Sequence, residues 1–266
     1  MTTCAFRPVY VLFVVTLGSS LSLGQETRRA TTIGTGSGPP APSDNDRSAL
    51  PPTKPGAGKR LATSREDRER FANLLKLPGA GIIKLLKNSC ENATSAYVTS
   101  ADPACNEVVG GGGQISFRTR GYSIAPLADL KIREGYFIAG GQYTQGAMVD
   151  LGEMAVDKVT AAVPGVDLIA QYEPPTTLSQ VRQETAALNE GRQWKGLVIG
   201  ATAPISPGHT YALRSMAYKV DALKADDKRA DILVVFNVIR LDDNGDVTLV
   251  WRELQRKDAP HIDLTK

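Results

Sequence analysis

Three hydropathy regimes follow one another along the chain. After a single positive charge at Arg7, residues 9–17 form an apolar run, Val-Tyr-Val-Leu-Phe-Val-Val-Thr-Leu. Large apolar residues then become scarce over 26–65, and from Ser64 onward they return at regular spacings. In Ser64-Arg-Glu-Asp-Arg-Glu-Arg-Phe-Ala-Asn-Leu-Leu-Lys76 the residues Phe71, Leu74 and Leu75 stand at i, i+3 and i+4, behind a serine suited to an N-cap and acids suited to a first turn. That spacing predicts a helix with one apolar stripe. Pro78-Gly79 stops it, and the short run 82–87 is expected to form a second helix leading toward Cys90.

Beyond that point the period changes from helical to two. Ile115, Phe117 and Thr119 alternate with Ser116, Arg118 and Arg120, so a strand over 115–120 would turn an apolar face inward and both arginines to solvent. The runs 136–141 and 146–151 read as strands joined by the polar Gln142-Tyr-Thr-Gln145, and 197–200 and 209–220 as further strands. Residues 176–190 carry Leu178, Val181, Thr185 and Leu188 on one side and are followed by Gly191, the pattern of a helix with a glycine at its C-terminus. The strongest unit is 231–254, where Asn244-Gly245 separates two β-rich runs and marks a hairpin. Its first arm is apolar on both faces and should lie centrally, covered on both sides.

The expected fold is therefore α+β and predominantly β, a mostly antiparallel sheet or sandwich with a few short helices, preceded by a disordered N-terminal spacer. The apolar run is too short for a comfortable membrane span, and small residues end it at Ser22-Leu23-Gly24, the layout of a cleaved signal peptide. Residues 1–24 are read as that signal and 25–65 as a Pro/Gly/Ser/Thr-rich spacer unable to bury enough apolar surface to order itself. Residues 66–266 form a single β-rich domain. The chain is then secreted or periplasmic, with no transmembrane span once the signal is removed.

Charge and chemistry narrow the reading further. The formal net charge is +3, but residues 26–65 carry seven Lys or Arg against three Asp or Glu, whereas 66–266 carry 23 against 25. The positive balance belongs to the spacer, and no basic stripe interleaved with aromatics argues for nucleic acid. Export leaves two cysteines, Cys90 and Cys105, expected to form a disulfide; closing a loop of about 15 residues would stabilise by roughly 3 kcal/mol. Asn92-Ala-Thr94 within that loop matches a glycosylation triplet. Gly56-Ala-Gly-Lys-Arg60 lacks the first glycine and the hydroxyl residue of a phosphate loop, and Asp242-Asp-Asn-Gly-Asp246 lacks calcium-loop spacing. No metal and no cofactor is expected.

Catalytic signatures are sparse. His209 follows Pro207-Gly208 and is the one imidazole placed to act as a base, although an exposed strand-end histidine is the plainer reading. Asp150 and Glu153 form a candidate carboxylate pair, with His209 or Arg214 nearby. Gln142, Tyr143 and Gln145 offer amide and ring contacts suited to hydroxyl-rich ligands. Gly110-Gly-Gly-Gly113 ahead of Arg118 and Arg120 resembles an anion cradle, but the order is glycines into a strand, and the arginines are not expected to converge on the glycine amides.

Gly208-His-Thr-Tyr-Ala-Leu-Arg-Ser-Met-Ala-Tyr218, Asp231-Ile-Leu-Val-Val-Phe-Asn-Val-Ile-Arg240 and Gly245-Asp-Val-Thr-Leu-Val-Trp-Arg-Glu-Leu254 together resemble the C-terminal part of exported, uncharacterised bacterial proteins of acidobacterial type. The resemblance covers about the last 60 residues. It implies an envelope or secreted setting and no activity. The expectation is an exported, non-catalytic binding or structural module whose partner is an envelope glycan or another exported protein, the alternative being an extracytoplasmic hydrolase using convergent carboxylates.

Overall fold

In the computed structural model the hairpin that the sequence marks most strongly lies inside the larger of two antiparallel sheets. The structure describes residues 61–87, 112–122, 128–141, 144–219 and 228–262, all within the unit Ser48–Lys266. The expected signal segment, the spacer up to residue 60, Cys90, Cys105, the Asn92 triplet, Gln142 and Tyr143 lie outside the described residues. The helices are α1 (Arg65–Arg70), α2 (Ala72–Leu75), α3 (Val166–Gln171) and α4 (Leu178–Glu190). The strands are β1 (Ala80–Leu85), β2 (Gln114–Ser116), β3 (Gly121–Tyr122), β4 (Leu130–Arg133), β5 (Tyr136–Ala139) and β6 (Thr144–Asp150). They continue as β7 (Arg192–Trp194), β8 (Leu197–Gly200), β9 (Thr202–Pro204), β10 (Thr210–Ala217), β11 (Ala230–Leu241) and β12 (Val247–Asp258).

Seven strands form one sheet in the order β1-β12-β11-β10-β6-β8-β7, and five form the other in the order β3-β2-β4-β5-β9. Both sheets are antiparallel throughout. The fold is thus α+β and mainly β. Alternation along β11 explains why its sequence is apolar on both faces. Ile232, Val234, Phe236 and Val238 pack toward the smaller sheet with Ile115, Phe117, Leu130 and Phe137. Leu233 and Val235 pack the other way with Val156, Val166, Ile169 and Leu188, from α3, α4 and the segment before them. Each such fully buried side chain contributes roughly 1.5–3 kcal/mol. Between the sheets the rings of Phe117, Phe137, Tyr211, Phe236 and Trp251 meet at centroid separations from 5.1 to 5.9 Å, edge-on and stacked.

The local signals for α1 and α4 correspond to their caps. Ser64 Oγ accepts from the Asp67 amide at 3.0 Å and donates to the Asp67 carboxylate at 2.6 Å. Thr177 caps α4, and Gly191, at φ 78°, ends it. The segment expected as a second helix is instead β1. Ile82 pairs with Val250 and Lys84 with Thr248, and Ile83 and Leu85 enter the core. A glycine begins this run for a reason: a Cβ on Gly81 would sit 2.7 Å from the Trp251 indole nitrogen. Completing the edge of a large sheet outweighs a weak local helix pattern.

The strand expected over 115–120 is also shorter than its alternation suggests. β2 ends at Ser116, and the chain turns through Arg120, a left-handed residue at φ 59°, into β3. Arg118 is therefore not on a wet strand face; it is 7% exposed and drawn inward by the Asp129 carboxylate.

Two features shape the sheets. The β11–β12 register slips between Leu233/Val234 and again between Val238/Arg240, with Leu254 and Ile239 as the extra residues on their respective strands. Strands β8 and β9 are one bent segment interrupted only at Ala201; it pairs with β6 in the larger sheet and with β5 in the smaller. At this corner Ala139 N–H donates to Ala201 O at 2.8 Å. Gly146 is required there, since a Cβ on it would lie 2.5 Å from the Ala139 Cβ.

Candidate functional site

Asp150 ends β6 beside the start of β10, and the pairing of these strands sets Asp150 against Tyr211. His209, one residue before β10, is held there by backbone bonds of Val238 N to His209 O (3.0 Å) and His209 N to Ser206 O (3.2 Å). Its Nδ1 lies 3.0 and 3.1 Å from the two Asp150 oxygens, with both side chains about one-third exposed (32% and 29%). An ionised carboxylate can only accept, so Nδ1 carries the proton and Nε2 the lone pair when the ring is neutral. Asp150 Oδ1 also accepts from Gly152 N–H at 2.8 Å. The carboxylate is therefore an anchor for the imidazole and for the turn that follows β6.

That turn builds one wall of a cleft of about 830 Å³. Phe71, Leu74 and Leu77 from the α1–α2 region face Glu153 and Met154 across it, and Asn237 of β11 lies on its lining. The 151–154 segment is fixed by Leu151 N to Thr210 O and Thr210 N to Gly152 O, both 2.8 Å, and by the Thr210 hydroxyl on the Met154 carbonyl. Asn237 Nδ2 donates to Gly208 O at 2.7 Å and to Thr210 Oγ1 at 2.9 Å. The amide edge of β11, the turn after β6 and the loop carrying His209 are thus one hydrogen-bonded unit. Gly208 lines the cleft, while the imidazole of His209 does not. Glu153 and Asn73 are exposed on its walls, and the Arg70 guanidinium lies 5.2 Å over the Phe71 ring. Nearby, burial raises the Tyr211 phenol above its ordinary pKa against the lowering effect of its hydrogen bonds at Ser206. It stays protonated and donates to Pro204 O at 2.7 Å.

The remaining sequence candidates scatter. Arg214 is buried and pairs with Asp231 through two contacts, 2.9 and 2.6 Å. Its Nη1 donates to the carbonyls of Ile169, Ala170 and Tyr172, closing the C-terminus of α3. Its bonds serve the fold, holding α3 against β10 and β11. Gln145 belongs to β6, not to a surface loop: it is 2% exposed, its amide donates to Thr185 at 3.4 Å and its oxygen accepts from Tyr218 at 3.3 Å. Arg118 donates through Nε to Asp129 at 2.9 Å, whereas Arg120 is exposed in the turn. The carbonyls of Gly112 and Gly113 accept from Leu86 and Ile132, so these glycines serve as sheet joints.

Of the predicted set, then, Asp150 and His209 are brought together, with Glu153 on the adjoining cleft wall. Phe71, Asn73 and Asn237 were missed by pattern reading. Asn237 did leave a signal, as the single polar residue within Leu233-Val-Val-Phe-Asn-Val-Ile239. Among the described residues no group of three or more His, Cys, Asp or Glu side chains could hold a metal ion, and no helix is long and apolar enough to cross a membrane. Comparison with family models, with curated proteins and with solved structures finds no match to this chain.

Proposed function

We propose that the chain is an exported, non-catalytic binding module of the bacterial envelope or exterior, and that its ligand seat is the 830 Å³ cleft beside β11. The leader-like N-terminus and the C-terminal resemblance to exported proteins support the setting. The carrying observation is the cleft itself. Its walls combine the apolar surfaces of Phe71, Leu74, Leu77 and Met154 with the amides of Asn73 and Asn237 and the carboxylate of Glu153. Neutral amides and a carboxylate alternating with apolar faces suit a glycan, whose hydroxyls both donate and accept and whose ring faces are apolar. Titrating the full chain with peptidoglycan and chitin oligosaccharides by calorimetry tests this. Saturable binding is expected for at least one, weakened about tenfold in Asn73→Ala with Glu153→Gln. No heat of binding across the panel would overturn the reading.

The Asp150–His209 contact favours a second reading, a hydrolase. An imidazole oriented by a carboxylate presents Nε2 as a general base toward a water. The base would then be His209, with Asp150 positioning it, rather than a pair of free carboxylates. Turnover of chromogenic glycosides or esters that disappears in His209→Ala while oligosaccharide binding persists would decide for this reading.

A further inference from the structure

On the face of the larger sheet turned away from the smaller one, two helices leave a gap over a small residue. α3 packs on β10 and β6, and α4 packs on β6 and β8. Between them β6 presents Ala147 to the cluster beneath the helices, with Val149 two positions on along the same face. A methyl group does not fill the space between the helices, and a pocket of about 290 Å³ opens there. It shares no lining residue with the cleft.

The floor of this pocket is core. Ala147, Ile169, Leu188 and Ile199 belong to one apolar cluster, yet each keeps 2 to 5% exposure because the pocket reaches it. The walls are fixed by polar contacts outside the floor. Glu184 of α4 accepts from the Tyr172 hydroxyl at 3.2 Å and from Arg192 Nη2 of β7 at 2.6 Å, so one carboxylate ties two walls to the helix. Burial, with Glu184 beside it, pushes the Tyr172 phenol up to about 12. It stays protonated and keeps donating. The end of α3 is held separately by the three carbonyl bonds of Arg214. Trp194 forms a further wall, with Lys195 Nζ 4.7 Å over its ring. A seat fixed in this way gives up little freedom when it is filled. Leu168 and the amides of Gln171 and Gln193 complete the lining as its exposed rim.

We infer that this pocket binds small neutral ring compounds, an apolar bicyclic body carrying one hydroxyl or carbonyl. Size sets the body: a dry apolar cavity of about 150 Å³ holds benzene, so this pocket takes roughly two fused rings. The floor selects against charge, because burying an ion among apolar side chains costs far more than burying a hydroxyl. Among the described residues the one cation on the lining, Arg192, meets Glu184, and an anion would have to compete with that carboxylate. Gln171 and Gln193 offer amide donors and acceptors at the rim, which suit a hydroxyl or a carbonyl. The inference does not draw on the cleft, and neither reading depends on the other.

The full chain is titrated with borneol, a bicyclic alcohol, and separately with camphorsulfonate, an anion on a similar skeleton. The chain has two tryptophans, and Trp251 is buried in the core, so acrylamide quenching of tryptophan fluorescence reports chiefly on Trp194. Borneol should shield Trp194 saturably and raise the thermal midpoint, and camphorsulfonate should do neither. Ala147→Leu fills the floor and should weaken borneol by about tenfold or more, with the midpoint of the free protein unchanged or raised. Leu168→Gln, at an exposed rim position, should weaken it about threefold, and it decides alone if Ala147→Leu proves unstable. No shielding by borneol, shielding that the folded variants leave unchanged, or camphorsulfonate binding as tightly as borneol overturns the inference.

Discussion

The two ends of the β11–β12 hairpin use charge in opposite ways. At the turn, cations meet acids. Lys84 lies 2.6 Å from Asp242 and 3.6 Å from Asp246, Asp246 accepts from the Lys87 amide at 2.9 Å, and Arg240 reaches back to Asp67 of α1 at 3.0 Å. These contacts tie β1 and α1 to a hairpin whose sequence lies some 160 residues further on, since Lys84 and Asp242 are 158 positions apart. At the open end the charge is buried: Asp129 meets Arg118 within the smaller sheet and accepts from the Ser215 hydroxyl of β10 in the larger. The difference teaches that one end ties distant segments together through partly exposed ion pairs, while the other ties sheet to sheet through one fully buried carboxylate.

Breaking the open end's buried pair should have the largest effect. Asp129→Ala removes the carboxylate that Arg118 meets and deprives the Ser116 and Ser215 hydroxyls of an acceptor, all in a fully buried site. A loss on the order of 4 kcal/mol is expected from urea unfolding; a loss near zero would show that this carboxylate does not join the sheets. Asp246→Ala at the turn should cost about 2–3 kcal/mol by the same measurement. It frees the Lys87 amide, but Lys84 keeps Asp242. If the order of the two costs were reversed, the turn would be the better-anchored end.

The smallest effect should come from Asp67 and should depend on pH. Burial opposes ionisation of its carboxyl, but the hydrogen bonds from Arg240 and Ser64, with the Arg240 and Arg70 charges, outweigh burial and lower the pKa from 3.8. A carboxyl whose folded-state pKa is depressed adds stability that is present above its unfolded pKa and is lost as pH falls through the folded value. Urea midpoints of the parent and Asp67→Asn should therefore differ at neutral pH and converge as pH falls through the depressed folded-state value. A gap that persists in acid would assign the effect to packing instead of charge.

What could be read in the sequence was local. The Ser64 cap, the Thr177–Gly191 brackets of α4 and the Asn-Gly hairpin each depend on residues within a turn or two, and the two-sided apolar arm of β11 announced its central place. β1 was unreadable because its partner is β12, and no window around Ile82 contains Val250. Arg118 was placed on the wrong face because its alternation with Phe117 says nothing of Asp129, eleven positions away. Past Leu254 strict alternation slips by one residue, so the Glu253–Arg256 pairing cannot be counted out from the sequence. The same holds for the site. Asp150 and His209 could each be nominated, but their contact spans 59 positions, and the cleft wall from α1–α2 enters only through the fold.

The corner at Ala201 has a mechanical consequence. With β8 and β9 forming one bent strand that is hydrogen-bonded into both sheets, the sheets behave less like two plates pressed together than like one plate with a crease. A force that tries to slide one sheet over the other is resisted in shear by backbone bonds at the crease, not only by side chains yielding between them. The compliant motion left is flexing about the crease itself, where Gly146 seats against Ala139 with no room for a side chain. A pull on the ends of β11 and β12 would load one leaf first and would pass into the other across that fold line.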